Sequence, residues 1–402
     1  MSQRQPLRFQ ACDYANFLVY ITYAWCALCI PNVLGPLTRD LNFSVQEGNA
    51  GLAGTLALWR GGVMLVSMTL CGFIAGRWGK RHTLAAATLL VGGGVLLATT
   101  AHCYLALVAA LVISAFGQGF FESLVTPLVN ENHRADQDAA RYVNLTHSFW
   151  SVGSISVMLL AGFMLQRGMS WRIVLALIGA VTLLPGAFYL RQRAKDRLVP
   201  GEVRSFRQTW RYAKLAFATP RFWIFLAAMP LGSGIEHSLY FWMPTYLQSR
   251  WAVGPAAAGL GTALFAAGMF AGRFLAGVLG RQNATGRILA GCALLLLAAS
   301  LAALRVAPLW LFMATLFLLG VGTGPVWPGI QNHCVNRMDA LDQTTMLILL
   351  PTVGSAGAGV FPWLLGFLAD HFGNTASFYL LPACAVALLL LLAIDRTIHD
   401  KT

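Results

Sequence analysis

The sequence has 402 residues, of which 57% are hydrophobic and only 11% charged, with a formal net charge of +13. Soluble globular chains carry about a quarter charged residues, so this composition excludes a soluble enzyme and indicates an integral membrane protein. The basic excess does not mark a nucleic-acid partner, because its residues sort by side of the membrane.

The apolar residues fall into about twelve blocks of roughly 18 to 27 residues, each long enough to cross a bilayer as a helix at about 1.5 Å per residue. Strand alternation is absent, so a membrane barrel is not expected. The first 14 residues contain Arg4, Arg8 and Asp13 without a cleavage pattern, and the first span therefore reads as an uncleaved signal anchor. Spans at about 14–36 and 49–76 follow, the second containing Arg60. If the N-terminus is cytoplasmic, 21 of the 28 Lys and Arg residues fall inside, only Arg39, Arg167, Arg172, Arg250 and Arg305 fall outside, and Arg60 and Arg273 lie within spans. That asymmetry places both termini in the cytoplasm.

Between the second and third spans lies GFIAGRWGKRH, Gly72 to His82. Its glycines are expected to let two helix ends approach, with Arg77, Lys80 and Arg81 at the inner surface. Gly72, Arg77, Gly79, Lys80 and Arg81 are the candidate conformational loop. The stretch is not a phosphate loop, since Ile74 and Arg81 occupy positions where that motif needs a glycine and a hydroxyl. The eight cysteines are scattered; Cys26 and Cys29 lack the second pair or histidine that a zinc site would need.

After a sixth span ending near Leu190 the composition changes. Residues 191–214 hold eight basic side chains around Pro200 and Gly201, which reads as a cytoplasmic linker ending in a surface helix near lipid headgroups. The second half then repeats the first. Gly117 matches Gly320, Val152 matches Val353 and Gly162 matches Gly366, at offsets of 203, 201 and 204. The expected organisation is an all-α membrane protein of twelve helices in two repeated six-helix bundles, residues 1–190 and 221–402, joined by the linker 191–220. Parallel repeats of this kind place a site between the halves near the midplane.

Four formal charges cannot be placed in loops, helix ends or tails: Arg60, Glu122, Glu236 and Arg273. A carboxyl at such depth costs several kcal/mol and usually marks a pathway. Glu122, in GQGFFESLVTPLVNE, is the leading candidate for carrying a proton, because burial favours its neutral form. A permanent ion pair with Arg60 is the competing reading. Glu236 lies in a seventh span that Pro230, Gly232 and Gly234 are expected to loosen, and is the second proton candidate. Arg273, two turns from Arg281, reads as a structural cation whose long stem reaches the surface. Around these charges, Asn144, His147 and Trp150 share one face of the fifth span; His237, Tyr240, Trp242 and Tyr246 surround Glu236; and Trp327, Gln331 and Asn332 lie in the tenth span. Amides, imidazoles and aromatic faces suit a hydroxyl-rich ligand, and Arg60 suits one with negative charge.

The pattern GxxxGRxGKR at Gly72 resembles the loop motif of the major facilitator superfamily, with Gly76 where that motif has an aspartate. FESLVTPL at Phe121, VNLTHSFWSVGS at Val143, GSGIEHSLYFWMPTYL in the seventh span and GRF at Gly272 resemble the fucose:proton symporter branch. The resemblance covers essentially the whole chain and implies the major facilitator fold, alternating access and proton coupling. Relatives carry an aspartate near the position of Asn32, and this chain has none there, which leaves Glu122 and Glu236 for the proton. The expected function is secondary transport of a small polar solute, a sugar or sugar derivative, with protons. An exporter or uniporter is the alternative within the class, and a membrane sensor the alternative outside it. No HExxH, GxSxG or metal-ligand cluster occurs, so neither an enzyme nor a cofactor is expected. The expected partners are the solute, protons and the lipid bilayer, with a monomer in a bacterial inner membrane.

Overall fold

A computed structural model describes residues 9–133, 139–191, 206–279, 285–338 and 340–398. Among these the regular structure is helical, with no strand. The first half comprises α1 (Ala11–Asp40), α2 (Ala50–Trp78), α3 (Lys80–Ala98), α4 (Tyr104–Asn132), α5 (Ala139–Gln166) and a sixth crossing divided into α6 (Trp171–Thr182) and α7 (Leu184–Arg191). The second half comprises α9 (Pro220–Trp251), α10 (Pro255–Leu279), α11 (Thr285–Arg305), a crossing divided into α12 (Leu309–Thr323) and α13 (Val326–Arg337), α14 (Gln343–Phe372), the single turn α15 (Asn374–Ser377) and α16 (Leu380–Thr397).

Among the described residues eleven crossings are long and apolar enough to span a membrane, counting α6–α7, α12–α13 and α15–α16 each as one; the remaining one is α9, which follows α8 (Phe206–Ala218) through a bend of 97°. Thr219 and Pro220 cause that bend. Proline has no N–H to lose at a helix start, and here it stands at the first turn of α9. Ala213 and Ala216 on α8 are buried while Trp210 and Leu215 are exposed, the pattern of a surface-lying amphipathic helix. The expected linker is thus seen only as this helix, since 192–205 lie outside the described residues.

Twelve crossings return the chain to its starting side. One face of the molecule therefore carries the start of α1 and the end of α16, and the distal face carries the α1–α2, α3–α4, α5–α6, α9–α10, α11–α12 and α14–α15 turns. The halves meet chiefly along α2 with α14 and α5 with α10, and also where α1 passes α9. The first two seams need glycine. A Cβ on Gly54 would sit 2.8 Å from Trp363 Cα, and one on Gly61 would sit 2.9 Å from Gly359 Cα. Such small residues let membrane helices approach to backbone contact, where packing replaces the missing hydrophobic drive.

At the face of the termini each half buries an acid. Asp13 meets His133 at 2.9 Å, both side chains 1% exposed, with Tyr142 stacked on the imidazole. Asp395 meets Arg221 at 3.1 Å, His333 at 3.1 Å and Arg337 at 3.5 Å. Buried charge is tolerated only when paired in this way.

One expectation fails here. The seventh crossing is not interrupted at its glycines: α9 runs unbroken from Pro220 to Trp251. Gly232 and Gly234 instead admit close neighbours, since a Cβ on the first would sit 2.6 Å from Val326 Cγ1 and Phe361 crowds the second. Breaks fall instead in the sixth crossing, at Leu183 between α6 and α7, and in the tenth, at Gly324 and Pro325 between α12 and α13.

Candidate functional site

In the first half the polar residues of α1, α4 and α5 converge. The hydroxyls of Tyr20 and Thr126 lie on His147 Nε2 at 2.9 and 2.8 Å, joining three helices at one ring nitrogen. One turn along α1, Tyr23 packs edge-on against Trp150 with ring centroids 4.7 Å apart. Glu122, on α4, is half-buried, with Tyr23 and Arg60 among its neighbours.

Arg60 faces the interior, as its depth requires, but its partner is an amide. Nε donates to Gln118 Oε1 at 2.8 Å, and Gln118 Nε2 donates to Ser114 Oγ at 3.1 Å. No ion pair joins Arg60 to Glu122 among the described residues, so the locked salt bridge is absent. Arg60 also acts across the seam on His237 of α9, whose Nδ1 lies 3.0 Å from the Ser233 carbonyl.

The second half contributes Glu236 and Arg273, at 4.0 Å from Oε2 to Nη2. Arg273 does not run to the surface as expected. Its Nε donates to the carbonyl of Gly324 at 3.0 Å. The cause lies in the sequence of the tenth crossing: in an α-helix that carbonyl would accept from residue 328, and residue 328 is Pro, which has no N–H. The guanidinium fills the vacancy. Tyr240 bridges the halves, its hydroxyl 3.4 Å from Met269 Sδ and facing Ser154 of α5.

Other expected site residues are placed differently. Trp242 is buried, and its indole N–H donates to the Pro362 carbonyl at 2.8 Å, which braces α9 against α14. Tyr246 packs on Phe378 and Phe312 within the second bundle. Trp327 and Gln331 lie half-buried on α13, the amide 3.4 Å from the Trp327 carbonyl, and Asn332 is exposed. The Asn144 side chain lies outside the described residues. In the loop motif only Gly79 needs to be glycine, with φ +83° at the α2–α3 turn; a Cβ on Gly72 or Gly76 would meet nothing within 4 Å. The expected close approach at Gly72 is therefore not made. Lys80 pairs with Glu131 at 2.8 Å, Arg81 reaches Asn132 Oδ1 at 3.4 Å, and Arg77 is exposed. No group of three metal-ligating side chains occurs among the described residues.

The sequence profile of the Major Facilitator Superfamily matches residues 16–251 and again 239–401. The chain belongs to that superfamily. Its members are transporters rather than enzymes, and this major facilitator is accordingly a multi-pass membrane transport protein. Solved structures share the fold. A nucleoside transporter, NupG, aligns at a TM-score of 0.75 and 12% identity over 97% of this chain and 100% of its own. A D-xylose-proton symporter aligns at 0.75 and 14% identity over 97% and 98%. A bacterial homolog of the human lysosomal transporter Spinster, inward-facing and occupied, aligns at 0.69 and 16% over 95% and 94%. No curated protein sequence matches the chain.

Within this major facilitator each half thus holds one acid and one arginine inside its crossings: Glu122 and Arg60 in the first, Glu236 and Arg273 in the second. Hydroxyl, imidazole and aromatic groups surround them. Sequence reasoning missed Tyr20, Tyr23, Thr126 and Gln118, and misread Arg273. Gln118 was in view as the centre of GQG, where it served only to set the repeat.

Proposed function

We propose that the chain is a secondary active transporter that imports a small polar solute, a sugar or sugar derivative, together with protons by alternating access. The observation that carries this reading is that four charges lie inside the crossings, two in each half, with Arg273 4.0 Å from Glu236 and no Arg60–Glu122 pair formed. Two cations and two acids shared between the halves are an arrangement in which protonation or a bound ligand can change what holds the halves together. Glu122 is the leading proton carrier and Glu236 the second. Arg60, with His237, His147, Trp150 and Tyr240 around it, forms the solute site, and its charge extends the solute class to sugar acids.

The halves touch at the distal face through Asp370 of α14 against the start of α2, while Pro127, Asn130, Pro328 and Asn332 on α4 and α13 are exposed. With the termini in the cytoplasm, the solute path opens inward, in a monomer of the bacterial inner membrane. The bundle limits 1–190 and 221–402, the switching role of the Gly72–Arg81 loop and kinship with the fucose:proton symporter branch belong to the same reading. The test is uptake into proteoliposomes from a panel of neutral sugars, sugar acids and nucleosides, each with and without an imposed pH gradient. Accumulation of a sugar or sugar acid that requires the gradient supports the reading. Gradient-independent equilibration alone would make the protein a uniporter.

A further inference from the structure

We propose that Asp370 is the latch of the distal gate, holding the two halves together by capping a helix of the opposite half. The inference rests on the alternating-access reading above.

The first N–H groups of any α-helix lack intrahelical partners, and a side chain at the preceding position normally supplies one. On α2 it does not. Asn49 stands at the cap without a capping bond, its amide turned back to the Ser44 carbonyl at 3.1 Å. Asp370 supplies the acceptors instead, from the last turn of α14: Oδ1 takes the Ala50 N–H at 2.8 Å and Oδ2 the Gly51 N–H at 2.7 Å. Each carboxylate oxygen satisfies one free donor, and the charge faces the positive end of the α2 dipole.

Asp370 is badly placed for its own helix, since an acid in a last turn opposes the dipole of α14. It is well placed only while α2 lies against it. The backbone beneath has been cleared for that approach: a Cβ on Gly51 would sit 3.0 Å from Asp370 Oδ2, and Gly366 lies against the Ala50 carbonyl.

The internal repeat supplies a control. At the offset of 204 that relates Gly162 to Gly366, Asp370 corresponds to Gln166 on α5. Gln166 occupies the matching place in the other seam, against Gly254 at the start of α10. But α10 begins with Pro255, which has no N–H to cap. The acid occurs at the seam whose helix start offers two free donors, and the neutral amide at the seam where proline has removed one.

The experiment uses the full chain in lipid nanodiscs without solute, after Cys103→Ser and Cys292→Ser. Spin labels on Met169→Cys and Arg305→Cys, both exposed at the distal face and remote from Asp370, report the separation of the halves. Asp370→Asn, which keeps size but loses charge and one acceptor, should shift the closed-to-open ratio about fivefold toward open. Asp370→Ala should shift it at least as far. Asn49→Asp gives α2 its own cap, so adding Asp370→Asn in that background should cause little further change. Unchanged distances in both Asp370 variants would overturn the latch and leave the transport reading standing. Failure of every solute in the uptake panel would leave the distance test intact.

Discussion

Arg273 donates to the Gly324 carbonyl at 3.0 Å while its other arm faces Glu236 at 4.0 Å. One guanidinium thus repairs the interrupted tenth crossing and anchors an acid of the seventh. Lysine cannot do both, because it lacks the planar fork. Arg273→Lys should lower solute exchange more than tenfold and destabilise the protein by about 1–3 kcal/mol, the cost of an unsatisfied buried carbonyl. Counterflow in proteoliposomes and the apparent Tm check the two effects. Full activity with an unchanged Tm would show that neither contact matters.

Trp242 separates packing from recognition. Its indole N–H is committed to the Pro362 carbonyl at 2.8 Å, and its ring lies edge-on to Phe241. Trp242→Phe keeps the ring and removes the donor. The expected loss is about 0.5–1.5 kcal/mol of stability, with solute Kd unchanged. A weakened Kd at constant Tm would return Trp242 to the solute site.

What could be read from the sequence were the properties that a bilayer makes one-dimensional. Hydropathy marks the spans, and the expense of intramembrane charge singled out Arg60, Glu122, Glu236 and Arg273. The partners of those charges were not legible, because each comes from another helix. Pro328 is visible in the sequence, and so is the carbonyl it orphans at Gly324; that Arg273 would fill it depends on how α10 lies against α12. Asp370 looked like an ordinary charged helix end, since nothing in its neighbourhood names Ala50 and Gly51. The loosening assigned to Gly232 and Gly234 failed for the same reason. Glycine in a membrane helix serves interruption or close packing, and only the neighbour decides which.

Gly54 tests how closely the distal seam must shut. A methyl group there would stand 2.8 Å from Trp363 Cα, a backbone atom that cannot rotate aside. Overpacking of this kind costs about 1–3 kcal/mol. Gly54→Ala should therefore favour separated distal ends by about tenfold, seen as faster alkylation of cysteines introduced along the seam. Gly62, where a Cβ would meet nothing within 4 Å, is the control, and Gly62→Ala should change nothing.

Glu122→Gln removes the titratable group and keeps the shape and hydrogen-bonding reach of the side chain. Uptake driven by a pH gradient should disappear, while exchange of solute across an equilibrated membrane continues within about threefold, because exchange needs no net proton movement. Retained gradient-driven accumulation would remove Glu122 from the proton path and leave Glu236 to be tested in the same way.

Arg60 decides the charge of the solute. With Nε held by Gln118 and no carboxylate paired to it among the described residues, its remaining donors are open to a ligand, and a bidentate contact with a carboxylate contributes more than one with a hydroxyl. Arg60→Gln should therefore weaken binding of sugar acids by about tenfold or more and of neutral sugars by less than about threefold. Isothermal titration of the two solute classes against the same variant supplies the comparison. Equal losses for both classes would assign Arg60 to holding α2 against α4 through Gln118, with no part in reading the solute's charge.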